Sequence, residues 1–245
     1  MIRRIKKLSV ILGSGHLPWI RALRHGVPAS VEHRSLLDTL NCRTVVDVGA
    51  NRGQFALAVR RRWPTARIIS FEPLGAPAAT FRKVFGGDRD VTLHEAAVGP
   101  IAEVATMHLS RRDDSSSLLA ITELQDTIFP GTEEVGTAQV RVAPLASFIG
   151  DDELQGPVLL KIDVQGFEFE VLRGCEPLLG AFDRIYCECS FVELYEGQRM
   201  AADVIGWLAE RRFPLAGVFN VAYDRSGHAV QADFLFVRNG AESGD

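Results

Sequence analysis

No acidic residue precedes Glu32, although Arg3, Arg4, Lys6, Lys7, Arg21 and Arg24 all stand in that stretch. This arm carries +6, and a formal net charge of −4 for the 245 residues leaves −10 on the remainder. A body so acidic reads against nucleic acid as the main partner, because phosphate backbones are held by clustered cations. Long apolar runs are also missing, so no segment is expected to span a bilayer. Gly13, Gly15 and His16 interrupt the apolar part of the N-terminus and no small-residue cleavage site follows, which reads against a signal peptide. Cysteine is scarce. Cys42, Cys175, Cys187 and Cys189 form no zinc-ligand spacing, and no metal site is expected. Cys187 and Cys189 alternate onto one face of an apolar segment, as buried thiols do. Nothing indicates export, so a reduced cytoplasmic setting is the expectation. Internal repeats and low-complexity tracts are absent, and the sequence sets no oligomeric state.

With 47% hydrophobic and 24% charged residues, the chain has the composition of a soluble globular protein. Its length suits one domain, placed at residues 41–240, after a basic arm of residues 1–40 and before a short tail, 241–245. The arm mixes bases and apolar residues: Ile-Arg-Arg-Ile-Lys-Lys-Leu-Ser-Val-Ile-Leu from Ile2 to Leu12. Two readings fit that pattern. One is a helix packed on the domain with its charges in water. The other is an amphipathic arm making peripheral contact with an anionic membrane surface.

Two glycine signatures are missing, and their absence narrows the ligand. The dinucleotide spacing G-x-G-x-x-G does not occur, and no Gly-Lys-Ser/Thr closes a phosphate loop. What is present is Val-Val-Asp-Val-Gly-Ala-Asn-Arg-Gly-Gln-Phe over Val45 to Phe55. A short apolar strand runs into a glycine turn, a helical segment follows, and Glu72 ends the next strand. Strand, turn, helix and strand-tip acid describe a nucleoside-binding βαβ unit. Asp47, two residues before Gly49, would repel a pyrophosphate. It suits a ligand with a cationic amino-acid end, which points to S-adenosylmethionine.

Strands are predicted at 44–48, 67–71, 91–95, 158–163, 184–189, 215–220 and 232–237, with helices at 54–63, 76–85, 168–179 and 200–211. In the last helix Val204, Trp207 and Leu208 form one apolar stripe. This alternation predicts an α/β fold with a Rossmann-like, doubly wound, seven-stranded sheet. The sheet is mostly parallel; only the last strand, entered through a turn at Gly227, returns antiparallel. Residues 102–143 break the rhythm. They read as an inserted β-ribbon, 103–109 with 139–143, bearing a long polar tip that folds over a ligand.

Asp47, Glu72 and Asp163 all fall at the carboxyl edge of the sheet, where open parallel sheets bind ligands. Lys161 alternates with Asp163 and shares its face. Asp163 could instead cap the following helix, and Glu170 reads as an ordinary first-turn acid. Glu188, between Cys187 and Cys189, faces away from both, and an acid in an apolar strand needs a partner or a task. Asp233 reads equally as a sheet-edge residue. His94 ends the third strand, and His108 and His228 read as surface or loop residues.

These motifs taken together resemble the FkbM family of class I methyltransferases over roughly residues 40–238. The likeness rests on the 46–55 turn, Phe-Glu-Pro at 71–73, Ala-Ala-Val-Gly at 96–99 and Ser-Ser-Ser-Leu at 115–118. Leu-Lys-Ile-Asp-Val-Gln-Gly-Phe-Glu at 160–168 and the late Asp233-Phe-Leu-Phe-Val match as well. The resemblance implies S-adenosylmethionine as donor and methylation of a hydroxyl oxygen, on polyketides or on sugars of glycolipids and polysaccharides. It also implies roles. Asp47 and the turn Gly49, Asn51, Gly53, Gln54 and Phe55 would hold the donor's amino-acid end, with glycines permitting close approach. Glu72, beside Pro73, would accept both ribose hydroxyls. Ala97 and Val98 would flank the adenine, Ser117 would close over it, and Asp163 would face the sulfonium.

The acceptor alcohol must lose its proton during attack, which calls for a carboxylate or histidine within reach. Asp163 and Glu188, with Lys161 beside them, are the catalytic candidates. The basic arm and the bias of 23 Arg to 4 Lys favour a glycolipid or lipid-linked glycan as acceptor over a small-molecule polyketide. A non-catalytic nucleoside-binding module is the reading from another class.

Overall fold

The computed structural model describes the backbone of residues 2–241 and the side chains of residues 8–241. The chain runs α1 (Ile2–Gly13), α2 (Leu17–Leu23), α3 (Arg34–Leu37), β1 (Thr44–Val48), α4 (Gln54–Arg62), β2 (Arg67–Phe71), α5 (Gly75–Phe85) and β3 (Val91–His94). Next come β4 (Ala97–Val98), β5 (Glu103–Ser110), α6 (Glu123–Ile128), β6 (Glu134–Ala143), β7 (Val158–Ile162), α7 (Glu168–Cys175), β8 (Arg184–Ser190), α8 (Ala201–Glu210), β9 (Leu215–Tyr223) and β10 (Ala229–Val237).

Seven strands form one sheet in the order β3-β2-β1-β7-β8-β10-β9. The β3-β2-β1-β7-β8 pairings are parallel, and β10 is antiparallel to both its neighbours. This is the doubly wound, mostly parallel architecture the alternation predicts. β1 and β7 are buried along their whole length because helices cover both faces, so their sequences run nearly continuously apolar instead of alternating. One face packs Val46, Val48, Leu160, Ile162 and Cys187 against α7 and α8; Cys187 and Cys189 are buried here as thiols. The other face packs Val45, Leu159 and Tyr186 against α4 and the N-terminal helices.

The N-terminal segment is part of that second core. Ile11, Trp19 and Ala22 are buried, and the Trp19 indole donates to the Leu57 carbonyl at 2.8 Å. The side chains of Arg3, Arg4, Lys6 and Lys7, on which membrane attraction rests, lie outside the described residues, as do residues 242–245 of the tail. Among the described residues, no helix is long and apolar enough to cross a membrane.

The structure departs from the sequence expectations in three places. The insert is a three-stranded sheet, β4-β6-β5, because Ala97 and Val98 pair parallel with Val142 and Ala143. Its tip is also structured. Asp113–Ser115 forms a 3-10 turn, and Thr122 caps α6 by accepting from the Gln125 N–H, with Glu123 in the favourable first turn. That capping signal is present in Thr-Glu-Leu-Gln but is drowned by the surrounding polar residues. The helix predicted at 168–179 ends as α-helix at Cys175 and continues as a 3-10 turn, Glu176–Ala181, because Pro177 has no N–H to donate.

Candidate active site

A cavity of about 860 Å³ opens at the carboxyl ends of β1, β2 and β7. The segment after β1 forms its floor by unusual backbone geometry. Gly49 has φ +81°, and a Cβ there would fall 1.8 Å from the Asp163 carbonyl oxygen. The close approach of β7 therefore demands glycine. Gly53 has φ +90°, and its missing side chain is filled by Phe85 and Phe81, 2.5 and 2.9 Å from where a Cβ would stand. Its bareness serves helix packing rather than ligand approach, and Gly53 does not line the cavity. Asn51 also takes a left-handed conformation, φ +46°, which turns its N–H toward the next strand.

That N–H donates to Glu72 Oε2 at 2.9 Å, and the Leu74 N–H donates to Oε1 at 2.8 Å. Glu72 is thereby fixed in rotamer while lining the cavity. Burial raises its carboxyl to about 7 against the opposing pull of these two N–H groups. Asn51, Gln54, Phe55, Pro73, Ala97 and Val98 line the same space, as do Lys161 and Asp163.

Asp47 stands one layer back from its expected place. It has no exposed surface, and Lys161 Nζ lies 3.0 Å from its Oδ1. Lys161 also donates to the Gly49 carbonyl at 3.0 Å and sits 3.8 Å from Asp163 Oδ2. One ammonium thus ties the tips of β1 and β7 together. Burial raises the Asp47 carboxyl and Lys161 opposes it; burial would lower Lys161, but Asp47 and Asp163 outweigh it and hold it charged.

Glu188 also departs from expectation. Gln231 Nε2 donates to its Oε1 at 2.7 Å and Gln165 Nε2 to its Oε2 at 2.9 Å, and it does not line the cavity. Burial first, then Asp163 and Asp233, raise its carboxyl well above the usual range, which favours the protonated form, and a carboxyl that holds its proton cannot take another. Asp163 does face the cavity, with Oδ1 accepting from Gln165 Nε2 at 2.8 Å. It does not cap α7, whose N-cap position is Phe167. Glu168 accepts from the Val164 and Gly166 N–H groups instead.

Ser117 is fully buried and pairs with His108 through both backbone groups, which pins the insert to β5; Ser115 and Ser116 line the cavity in its place. His94 stacks on Phe71 behind the wall, and His108 and His228 pair with Glu134 and Asp224 near the surface.

Several residues emerge only from the fold. Arg52, in the turn, makes a two-pronged ion pair with Asp113 of the insert, strapping that segment across the opening. Tyr195 places its hydroxyl 2.9 Å from Gln165 Oε1 and 3.2 Å from the Ser115 carbonyl, joining the insert to the sheet. His33 reaches the cavity from the N-terminal segment. Arg52 and Gln165 lie inside motifs visible in the sequence, but their partners are 61 and 30 residues away.

Comparison with known proteins identifies a family. Residues 47–215 match the model of the methyltransferase FkbM domain. A protein of Beauveria bassiana named Methyltransferase 1 is 30% identical over 146 residues, 54% of this chain and 58% of that protein's length. The 2-O-methyltransferase NoeI of Sinorhizobium fredii is 29% identical over 179 residues, 68% of this chain and 72% of that protein. Among solved structures, the precorrin-6y C5,15-methyltransferase of Geobacter metallireducens aligns with a TM-score of 0.46 at 12% identity, covering 83% of this chain and 84% of that one. The domain match spans more than half of the chain and takes in the turn, Glu72, Asp163 and the insert, and on that ground the chain belongs to the FkbM methyltransferase domain family.

Proposed function

We propose that this chain transfers a methyl group from S-adenosylmethionine to a hydroxyl oxygen, on a sugar of a glycolipid or lipid-linked glycan. One observation carries the donor assignment: Glu72, held by two backbone N–H groups, presents a carboxylate to a cavity floored by the Gly49 turn. Each of its oxygens has accepting capacity left for one ribose hydroxyl. Asp163 supplies the negative charge that a sulfonium and an α-ammonium group favour. Val98 and Ala97 on the insert side offer the flat apolar contact an adenine needs.

The donor brings an already activated methyl group, so the chain's task is alignment and exclusion of water. The Arg52–Asp113 strap and Tyr195 hold the insert over the cavity and serve both ends. A hydroxyl acceptor is supported by the 2-O-methyltransferase relative. A lipid-bearing acceptor is supported by the apolar N-terminal wall. Leu8 and Leu23 line the cavity, while Val10, Leu12 and Leu17 stand exposed beside them on the same pair of helices. These exposed side chains also favour peripheral contact with a membrane surface.

Calorimetric titration with S-adenosylmethionine tests the donor. The wild type should bind it, and Glu72→Ala should lose about 10²–10⁴ in affinity, since hydrogen bonds to a charged group contribute roughly 1.5–3 kcal/mol each. Affinity should also fall as pH drops below 7, because Glu72, raised to about 7, loses its charge there. Unchanged affinity in a folded Glu72→Ala protein would remove Glu72 from the donor site.

A further inference from the structure

Four polar side chains from four separate segments converge on the sheet face that carries Lys161. His33 ends the 3-10 turn Val31–His33, Tyr186 is on β8, Asn220 on β9 and Asp233 on β10. The Tyr186 hydroxyl donates to Asp233 Oδ2 at 2.7 Å, and Asn220 Nδ2 donates to the same oxygen at 2.7 Å. His33 Nδ1 lies 3.0 Å from the Tyr186 hydroxyl and 3.6 Å from Asp233 Oδ2. Such a chain is costly to bury unless it is fully satisfied, so its persistence beside the cavity calls for a task.

The donors and acceptors around the ring favour one tautomer. A phenol has one proton, and the short bond to a carboxylate is the stronger claim on it. Asn220 Nδ2 also lies 3.3 Å from His33 Nδ1, but its shorter bond, 2.7 Å, goes to Asp233 Oδ2. The phenol oxygen, at 3.0 Å, is the nearer partner of Nδ1 and accepts from it, which puts the imidazole proton on Nδ1 and leaves Nε2 as the lone-pair nitrogen. Phe55 and Tyr186 meet the imidazole edge-to-face, with centroids at 5.2 and 5.6 Å, and so hold its plane. His33 lines the cavity together with Phe55, Lys161 and Asp163.

We infer that His33 is the general base for the acceptor hydroxyl, held in its working tautomer by Tyr186 and Asp233 as positioning residues; this rests on the methyl-transfer reading above. In the step, the acceptor O–H bond breaks as Nε2 takes the proton, and the oxygen's electron pair forms the new C–O bond. The S–CH₃ bond breaks and its electrons return to sulfur. A cationic sulfonium and neutral imidazole become a neutral thioether and an imidazolium, so charge balances. Asp233 is then close enough to stabilise the new cation through Tyr186. Glu188, whose two oxygens are occupied by Gln165 and Gln231, does not compete for this role. Asp163, beside Lys161, is left to the donor's positive charge.

The charges around His33 suit the task. Burial lowers its proton affinity, Asp233, Glu32 and Asp163 raise it, and Lys161 lowers it, with a net value below the ordinary 6.5. It is therefore neutral and able to accept a proton at neutral pH.

Two measurements test the assignment. In ¹⁵N-imidazole-labelled full-length protein saturated with S-adenosylhomocysteine, long-range NMR spectra should show His33 as the Nδ1–H tautomer titrating below 6.5, its signal assigned by its loss in His33→Gln. Asp233→Asn should move that titration to lower pH, and Tyr186→Phe should mix the tautomers. His33→Gln should bind S-adenosylhomocysteine within about twofold of wild type. Transfer of labelled methyl from S-adenosylmethionine to polar lipid extract or dodecyl β-D-maltoside should fall about 10²–10⁴ in that variant. An Nε2–H tautomer overturns the inference, as does transfer by His33→Gln within about threefold of wild type. Should neither probe accept label from the wild type, the tautomer alone decides. A wild type that fails to bind S-adenosylhomocysteine overturns the methyl-transfer reading itself, which a failure confined to His33 would leave standing.

Discussion

Replacing Lys161 by Met should cost about 3–5 kcal/mol of stability, because it leaves Asp47 as a buried carboxylate without its counter-charge. Met keeps most of the stem's volume, so little of this loss is packing. Asp47 has no exposed surface, and among the described residues its carboxylate oxygens accept no hydrogen bond from any other group. The variant must bear that charge in the core or take up a proton, and the second route makes the cost depend on pH. Asp47 then has a folded value above its unfolded value of about 3.9. The native state binds a proton the unfolded chain releases, so stability is lost as pH rises from the unfolded value toward the folded one. The slope is about 1.4 kcal/mol per pH unit within that window, so the deficit at pH 7 should exceed that at pH 5 by up to about 2.7 kcal/mol. Glu72 and Glu168, both raised to about 7 mainly by burial, give the wild type a slope of the same sign. The quantity to measure is therefore the difference between the two proteins in urea denaturation at pH 5 and 7. Asp47→Val combined with Lys161→Met removes both charges and should recover to within about 1–2 kcal/mol of wild type, since a buried pair replaced by apolar residues is often near neutral. A single variant within 1 kcal/mol of wild type, or a double variant as damaged as the single, would refute this account of the pair.

Arg52→Ala should cost under about 1 kcal/mol of global stability, because the pair with Asp113 is one-third exposed on each side and screened by solvent. It should nonetheless speed hydrogen exchange across residues 111–118, and exchange equal to wild type there would show that the strap does not hold the insert. Trp19→Ala should lose about 3–5 kcal/mol by thermal or urea unfolding, through an emptied site in the core and the lost indole bond to the Leu57 carbonyl. A loss below 1 kcal/mol would mean that the N-terminal helices are a detachable arm.

The N-terminus shows where composition stops being informative. Its charge pattern predicts an amphipathic helix equally for a membrane surface and for a protein surface, because both environments ask for one apolar stripe. What decides is the partner, an apolar surface formed by Leu36, Leu37, Leu57 and Val45 that brings together residues from three separate segments. The central sheet was legible for the opposite reason. Its strands are short apolar runs separated by turn and helix signals, and each run is specified by its own neighbours in sequence. Strand ends agree to within a residue wherever hydrophobicity ends abruptly, as at Phe71, and drift where the ladder continues past the apolar stretch, as at Ala229.

The site divides along the same line. The glycine turn, Glu72 and Asp163 are local features, and the strand-end rule assigns them to the cavity edge before any partner is known. Alternation also places Lys161 with Asp163 on one face and turns Glu188 away from Cys187 and Cys189, but it cannot say which side chains meet each other and which meet the cavity. Cross-strand register settles that. Lys161 stands between Asp47 and Tyr186, so it joins the first acid and screens it from the ligand. Glu188 stands opposite Asp233, whose charge adds to the rise that burial gives its carboxyl. Asp233 has a phenol, an amide and an imidazole within reach, and among the described residues Glu188 has two glutamines, so the proton-accepting chemistry collects at His33. His33 is 153 residues from Tyr186 and lies in a segment with no catalytic pattern of its own. Its role follows from the folding of the N-terminal segment onto the sheet, which makes the packing of Trp19 and Ile11 a requirement for a base as well as for stability.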